Sequence, residues 1–259
     1  MKLTLSLLLL LCPTIALAEP IERPPNNAGF SISLSEPDLK PTPGIGVYEI
    51  DLFDAAPSTI DALHEAGGYV ICYFSAGSFE DWRPDVTQFP PSILGRDYEG
   101  WPGERWLDIR QSNALAPILE ARLDLAQQKT CDAVDPDNVD GFSNPTGFDI
   151  SKDEQRAFNR WLAEAAHARG LAIGLKNAAE LVRDLKNAFD FAIIESCAAQ
   201  NVCDAYDPFV GSGKAVFQIE YRGEVADWRG VCSDAKARHF TAILANLELD
   251  GKAEACPKG

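Results

Sequence analysis

Short apolar runs alternate with amphipathic stretches along most of this chain. Eight runs read as strands, and the apolar residues in them are nearly continuous rather than alternating with polar ones. Continuous apolar strands are typical of a parallel sheet that is buried on both faces. The predicted strands are 46–53, 69–77, 106–109, 131–135, 171–177, 189–196, 214–221 and 239–246.

Most of these strands are followed by a helical pattern. In 113–129, Leu115, Ile118 and Leu119 recur at helical spacing, and Ser151-Lys-Asp-Glu is a capping box that opens another helix. Eight βα units in one chain predict a (β/α)8 barrel of the TIM type. A doubly wound parallel sheet is the alternative.

The first 44 residues read differently from the rest. Residues 1–18 combine Lys2, an apolar run and Ala16-Leu17-Ala18, which predicts a cleaved signal peptide and a secreted or periplasmic protein. The apolar run is shorter than the roughly 20 residues that span a bilayer, and no membrane span is expected. Residues 19–44 hold six prolines and read as a lead-in segment without a central strand. A single barrel domain is expected over 45–259.

Six cysteines lie outside the predicted signal peptide, and an even number in an exported chain indicates disulfides. Six cysteines allow fifteen pairings. Spacing suggests Cys197 with Cys203 around a short loop, Cys232 with Cys256 at the C-terminal tail, and Cys72 with Cys131 on two strands. No C-x-x-C motif is present and the three histidines are far apart, so neither a zinc site nor another cofactor is expected.

The formal net charge is −16, and it becomes more negative by one charge when Lys2 is removed. Such a surface repels nucleic acid and anionic lipid. The charge serves either solubility or the attraction of a cationic ligand. We expect a monomer that binds no nucleic acid.

Polar side chains cluster where the predicted strands end. Asp137 lies in CDAVDPDNVDGF (131–142), and Glu195 follows the apolar FAII. Burial should raise the pKa of Glu195, whereas Asn138 and Lys176 should favour ionised Asp137. Two carboxylates in different environments are what glycoside hydrolysis requires. The pair Asp140-Gly141 instead favours a turn.

Aromatic and polar residues at the same strand ends could bind sugar. Rim aromatics that could stack on sugar rings are Tyr73, Trp82, Trp101, Trp106 and Tyr221. Ser75, Asp108 and Gln218 are polar residues at predicted strand ends, and we include them as candidate binding residues.

Four stretches resemble the catalytic domain of glycoside hydrolase family 114, the endo-α-1,4-polygalactosaminidases. They are VICYFSAGSFEDWRPD (70–85), CDAVDPDNVDGF (131–142), GLKN (174–177) and FAIIESC (191–197), and the likeness extends over about 46–246. The resemblance implies a TIM-type barrel that cleaves α-1,4-linked galactosamine polymers, some of them partly deacetylated and therefore cationic.

The same resemblance implies roles for individual residues. Asp137 would be the nucleophile and Glu195 the acid/base of a retaining mechanism. Binding residues would be Asp135, Tyr73, Lys176 and Asn177. Two other functions stay open. One is a non-catalytic carbohydrate-binding barrel. The other is a polysaccharide hydrolase or deacetylase that binds a divalent ion with the aspartate cluster of 131–142, which is Asp132, Asp135, Asp137 and Asp140.

Overall fold

The structure is a computed structural model that describes residues 20–257, so the predicted signal peptide, 1–18, lies outside the described residues. In chain order the strands are β1 (Gly29–Ser33), β2 (Ile45–Asp51), β3 (Tyr69–Ser75), β4 (Ser78–Glu80), β5 (Leu94–Asp97), β6 (Glu104–Leu107), β7 (Ala133–Asp137), β8 (Ala172–Lys176), β9 (Phe191–Glu195), β10 (Val216–Tyr221), β11 (Thr241–Ala245) and β12 (Glu254–Ala255).

The helices lie between these strands. They are α1 (Pro57–Glu65), α2 (Ser112–Gln128), α3 (Lys152–His167), α4 (Val182–Leu185), α5 (Cys197–Gln200), α6 (Asp207–Val210) and α7 (Trp228–Arg238). Single 3-10 turns occupy Val86–Gln88, Pro91–Ile93, Gly141–Ser143, Ala179–Leu181 and Cys203–Tyr206. The predicted capping box is present, because Ser151 accepts from the backbone of Glu154 while the Glu154 side chain accepts from the backbone of Ser151.

A nine-stranded sheet forms the body of the protein, in the order β1-β2-β3-β7-β8-β9-β10-β11-β12. Neighbours from β1 to β11 are parallel, and only β12 runs antiparallel to its partner. The two ends of the parallel series come together, since Thr241 at the start of β11 donates to the carbonyl of Ala28 before β1 at 3.3 Å. The predicted TIM-type barrel is confirmed, and the doubly wound sheet is excluded.

Two expectations about the strands are wrong. The segment 19–44 contributes a barrel strand, β1, because its prolines flank Gly29–Ser33 without interrupting it, and Phe30 and Ile32 are buried. The predicted strand 106–109 overlaps β6, which lies outside the barrel in an antiparallel sheet of order β4-β6-β5. A short apolar run does not reveal which sheet it joins.

Two apolar cores hold the barrel together. The lumen is filled by alternate strand residues, among which Phe30 of β1 stacks on Phe217 of β10 with ring centroids 4.6 Å apart. The larger core lies between the sheet and the helices, where residues such as Leu119 of α2 and Leu162 of α3 are fully buried. Burial on both faces explains the continuous apolar strands.

All three suggested disulfides are confirmed. Cys72 of β3 is bonded to Cys131 before β7, Cys197 to Cys203 directly after β9, and Cys232 of α7 to Cys256 after β12. The second closes a loop of sequence separation 6 next to Glu195, and the third fastens the C-terminal segment to the last helix. Within residues 20–257, no helix has both the length and the apolar character needed to cross a membrane.

Candidate active site

A cleft of about 610 Å³ lies at the carboxyl ends of the barrel strands. Eight predicted site residues line it: Asp137, Glu195, Tyr73, Trp82, Trp101, Lys176, Asn177 and Tyr221. They come from strands β3, β7, β8, β9 and β10 and from the segments that follow them. Because all these strands are parallel, their last inward-facing side chains meet at one end of the barrel.

Lys176 lies at the centre of the cleft floor and is only 2% exposed. Its Nζ is 3.2 Å from Oδ2 of Asp135 and 3.5 Å from both Oδ2 of Asp137 and Oε2 of Glu195. Burial alone would lower the pKa of this ammonium, but the surrounding carboxylates outweigh burial and raise the pKa well above its usual value. Lys176 is therefore a fixed positive charge that joins three strands.

Glu195 is held by donors on two sides. The phenol of Tyr221 donates to Oε1, and Nδ2 of Asn177 donates to Oε2 at 3.1 Å. Burial raises the pKa of Glu195, but the charge of Lys176 and these hydrogen bonds outweigh it, so that the pKa is lowered. The expected rise is wrong because the cation and the donors come from neighbouring strands, which the apolar FAII run does not reveal.

Asp137 is fixed mainly through the backbone around it. Its Oδ1 accepts from the N–H of Asn138 at 2.7 Å, and its Oδ2 accepts from the hydroxyl of Tyr73 at 3.2 Å. The N–H groups of Ala76 and Gly77 both donate to the carbonyl of Asp137, at 2.9 Å and 3.1 Å. The turn after β3 thus holds the end of β7.

Residues with left-handed backbone follow the three central side chains directly. Asn138, Asn177 and Ser196 have φ of 61°, 48° and 53°, and they come immediately after Asp137, Lys176 and Glu195. This conformation is unfavourable for a residue with a Cβ, although asparagine tolerates it better than most. Each of these three strands therefore ends sharply at a side chain that lines the cleft.

Five predicted binding residues lie outside the cleft lining, and one of them, Trp106, is buried and stacks on Tyr98 with ring centroids 4.7 Å apart. Asp135 is fully buried beneath Lys176, and Ser75 is fully buried with its hydroxyl 2.7 Å from Oδ1 of Asn138. Asp108 follows β6 rather than a barrel strand and pairs with Arg110 at 2.7 Å. Gln218 donates to Glu220 on the outer side of β10, because the alternating neighbours Phe217 and Ile219 face the lumen.

The sequence did not single out several cleft residues. Tyr98 directly follows β5 and Glu104 begins β6, and burial raises the pKa of Glu104 to about 7. Asp140 lines the cleft as well as forming the expected turn, in which its carbonyl accepts from Ser143 at 3.0 Å. Burial and the charge of Asp137 raise the pKa of Asp140 to about 6. A signal existed for Asp140, which lies in the aspartate-rich run, whereas nothing in the sequence marked Glu104.

The aspartate cluster is a poor divalent-metal site, because the ammonium of Lys176 already occupies the space between its carboxylates. Across residues 20–257, the side chains whose ligand atoms lie close enough to share a metal ion are Cys197, Cys203 and Glu220. The two cysteines form a disulfide, so they supply no thiolate. This geometry disfavours the metal-dependent alternative.

Comparison with solved structures gives a match over nearly the whole chain. The crystal structure of Aspergillus fumigatus Ega3 in complex with galactosamine is 38% identical, with a TM-score of 0.85, and the match covers 94% of this chain and 100% of that one. The glycoside hydrolase domain of PelA from Pseudomonas aeruginosa shares the fold at 14% identity and a TM-score of 0.65, covering 88% of this chain and 98% of that one.

Isomaltulose synthase from Klebsiella sp. LX3 also shares the fold. It is 10% identical, with a TM-score of 0.53, and the match covers 75% of this chain and 57% of that one. A comparison with curated proteins finds no significant match. The family model of glycoside-hydrolase family GH114 matches residues 13–259. The chain therefore belongs to glycoside-hydrolase family GH114 and is an O-glycosyl hydrolase of the endo-α-1,4-polygalactosaminidase-like kind.

Proposed function

We propose that this protein is an exported, endo-acting glycosidase that hydrolyses α-1,4-linked, galactosamine-containing polysaccharide with Asp137 and Glu195 as its two catalytic carboxylates. The observation that carries the proposal is that both carboxylates enter one cleft, each 3.5 Å from the same ammonium, Lys176. The similarity to Ega3, whose structure contains galactosamine, supports the choice of sugar.

The spacing of the two carboxylates supports a retaining mechanism. Two oxygens that are each 3.5 Å from one nitrogen are separated by no more than twice that distance. Retaining enzymes place the carboxyl groups about 5–5.5 Å apart, and inverting enzymes about 6.5–9.5 Å apart. This bound on one oxygen pair is compatible with the first spacing and also reaches the lower end of the second.

Two assignments of the roles are compatible with this cleft. The family resemblance makes Asp137 the nucleophile and Glu195 the acid/base. The lowered pKa of Glu195 fits the reverse assignment in the free protein, because a nucleophile must be charged and an acid must carry a proton. The anomeric configuration of a trapped product distinguishes the two.

The charge of the cleft supports a cationic polymer as substrate. Its acidic lining residues are Asp51, Asp54, Glu80, Glu104, Asp137, Asp140, Glu180, Glu195 and Glu248, against the basic Arg83 and Lys176. Arg83 is already bonded to Asp51 at 2.7 Å and to Glu80 at 2.8 Å. A concave acidic surface raises the local concentration of cations, which include deacetylated amino sugars.

The rim of the cleft supports binding of a long chain. Trp82 and Trp101 are 51% and 44% exposed, although they are among the largest apolar side chains of the protein. Both line the cleft next to the antiparallel sheet. Exposed indole faces at a polar cleft are suited to stacking on sugar rings away from the bond that is cleaved.

Export rests on the signal-peptide pattern of 1–18 and on the three disulfides, which persist in oxidising compartments. Binding of nucleic acid is not part of the proposal, given the net charge of −16.

The proposal is tested with a partly deacetylated α-1,4-galactosaminan, EDTA and purified mature protein. Wild type should release oligosaccharides, whereas Asp137→Asn and Glu195→Gln should release none while keeping the melting temperature of wild type. Retention of the polymer by wild type without cleavage would identify a carbohydrate-binding barrel instead. Activity that requires an added divalent ion would identify the metal-dependent alternative.

A further inference from the structure

Glu49 is a carboxylic acid buried in the middle of the barrel strand β2. It is 0% exposed, as is Asp135 of β7. Glu49 lies in register with Ile32 of β1 and Ile71 of β3, two apolar residues of the lumen core. In the sequence, Glu49 is recognisable as an acid in the middle of a mainly apolar strand.

Three of the four carboxylate oxygens of the two buried acids have no hydrogen-bond donor. Neither Oε1 nor Oε2 of Glu49 has a hydrogen-bond partner, and neither has Oδ1 of Asp135. The other oxygen of Asp135, Oδ2, is bonded to Lys176 at 3.2 Å. Buried carboxylate oxygens without donors are strongly unfavourable, so this arrangement points to a bound proton.

Charge balance leads to the same conclusion. The groups that face Glu49 are Asp135 from β7, Lys176 from β8 and Glu195 from β9. Lys176 also lies 3.5 Å from Asp137, so that one ammonium faces four carboxyl groups. A proton on one acid reduces this excess, and Glu49 is the acid without contact to a cation or a hydrogen-bond donor.

We propose that Glu49 is a positioning residue of the catalytic centre: its protonated carboxyl donates a hydrogen bond to Oδ1 of Asp135, and Asp135 in turn holds Lys176 against Asp137 and Glu195. This inference rests on the proposed catalytic function of Asp137 and Glu195. A single proton turns one oxygen of Glu49 into the donor that Asp135 lacks, and it leaves the other as a neutral carbonyl.

The electrostatics of the pair agree with this direction of donation. Burial, followed by the charge of Asp135, raises the pKa of Glu49 well above its usual value. Burial raises the pKa of Asp135 to about 6, against the opposing effect of Lys176. Near neutral pH, Asp135 is therefore the acceptor and Glu49 the donor.

Two substitutions of similar size separate positioning from packing. Glu49→Gln keeps a neutral donor, and Glu49→Leu removes it. We expect Glu49→Gln to keep kcat within about threefold of wild type, and Glu49→Leu to lower kcat at least about tenfold with KM changed by less than about threefold. Full kcat in Glu49→Leu, or an equal loss in both variants, would overturn the proposal.

A spectroscopic measurement tests the proton without any turnover. The infrared difference spectrum between wild type and Glu49→Gln at pH 7 should contain the C=O band of a protonated carboxylic acid. Asp190→Asn is the matched control, since Asp190 is a buried carboxylate at the other end of the barrel. Burial raises its pKa, but the hydrogen bonds and charge of its partners, His167 foremost, outweigh burial and lower the pKa. Its difference spectrum should lack the acid band.

The two readouts distinguish failure of this inference from failure of the proposed function. An acid band in a protein that hydrolyses no galactosaminan would keep the proton on Glu49 and reject the activity. Absence of the band from an active wild type would overturn the proposal.

Discussion

The ammonium of Lys176 lies 3.5 Å from Oε2 of Glu195, although burial in the barrel would by itself favour the neutral form of both groups. Each group favours the ionised form of the other, because opposite charges attract more strongly in a poorly hydrated site than in water. Asp135 and Asp137 contact the same Nζ. One ammonium therefore contacts three carboxylates of the centre.

Lys176→Met should raise the pKa of Glu195, because it removes the charge that most strongly lowers that pKa. It should also destabilise the protein by about 3–5 kcal/mol, since Asp135 would remain buried without its cation. The carboxyl titration is followed by NMR of ¹³C-labelled glutamate, and stability by denaturant unfolding.

Lys152→Met is the control for this substitution. Lys152 pairs with Glu180 at 3.3 Å on the surface, where an ion pair contributes about 0–1 kcal/mol. If Lys176→Met cost no more stability than Lys152→Met, the central ammonium would not be needed to balance the buried acids.

Tyr221→Phe should raise the pKa of Glu195 by removing the hydrogen bond to Oε1. The ring remains to fill the cleft wall, so the melting temperature should change little. We expect kcat to fall about tenfold, the size of one donor to a reacting carboxylate. A titration of Glu195 identical to that of wild type would show that the phenol does not donate to it in solution.

Azide should reveal which carboxylate is the nucleophile. Asp137→Ala and Glu195→Ala are each assayed with an activated galactosaminide and azide. The small anion attacks from the vacated side in the nucleophile variant and gives a glycosyl azide of inverted configuration, whereas the acid/base variant gives retained configuration. The family resemblance expects inversion with Asp137→Ala, and the lowered pKa of Glu195 expects it with Glu195→Ala.

Trp101→Ala and Trp82→Ala should raise KM for the polymer about tenfold and change kcat less, because stacking on remote sugar rings contributes to binding rather than to bond cleavage. Leu247→Ala is a matched control, since Leu247 is 57% exposed and lines the same cleft but offers no ring for stacking. An equal effect of all three substitutions would indicate general apolar contact instead of stacking.

The barrel was predictable because burial on both faces leaves a direct trace, the continuous apolar strand. That pattern is missing from β1, where apolar and polar residues alternate in GFSIS and prolines lie on both sides of the strand. It was misleading at β6, where a short apolar run belongs to a different sheet. Such errors arise because sheet membership depends on pairing partners that are distant in the chain.

The site, like the fold, was predictable where the information lies in a short stretch of sequence and not where it depends on residues distant in the chain. Strand ends placed Asp137, Lys176 and Glu195 together, because parallel strands bring their carboxyl ends to one rim. The direction of the Glu195 pKa was not predictable, since it depends on a lysine from the neighbouring strand. Gln218 was wrongly expected in the cleft. Its neighbours Phe217 and Ile219 face the lumen, so Gln218 faces the outer side of β10.

Gly77→Ala should lower activity by displacing Asp137. A Cβ at position 77 would lie 1.7 Å from the carbonyl oxygen of Asn138, a distance that only a shift of backbone can relieve. The shift would disturb the two N–H groups that hold the carbonyl of Asp137. We expect a loss of at least about tenfold in kcat, together with about 1–3 kcal/mol of stability.

Gly211→Ala is the control, because its φ is −60° and a Cβ there would meet its nearest neighbour at an ordinary 3.5 Å. This variant should keep wild-type activity and stability within about 0.5 kcal/mol. Kinetics on the galactosaminan and thermal unfolding are measured on both proteins. Wild-type kcat in Gly77→Ala would mean that the turn after β3 does not set the position of Asp137, and that Tyr73 and Lys176 suffice to hold its carboxylate.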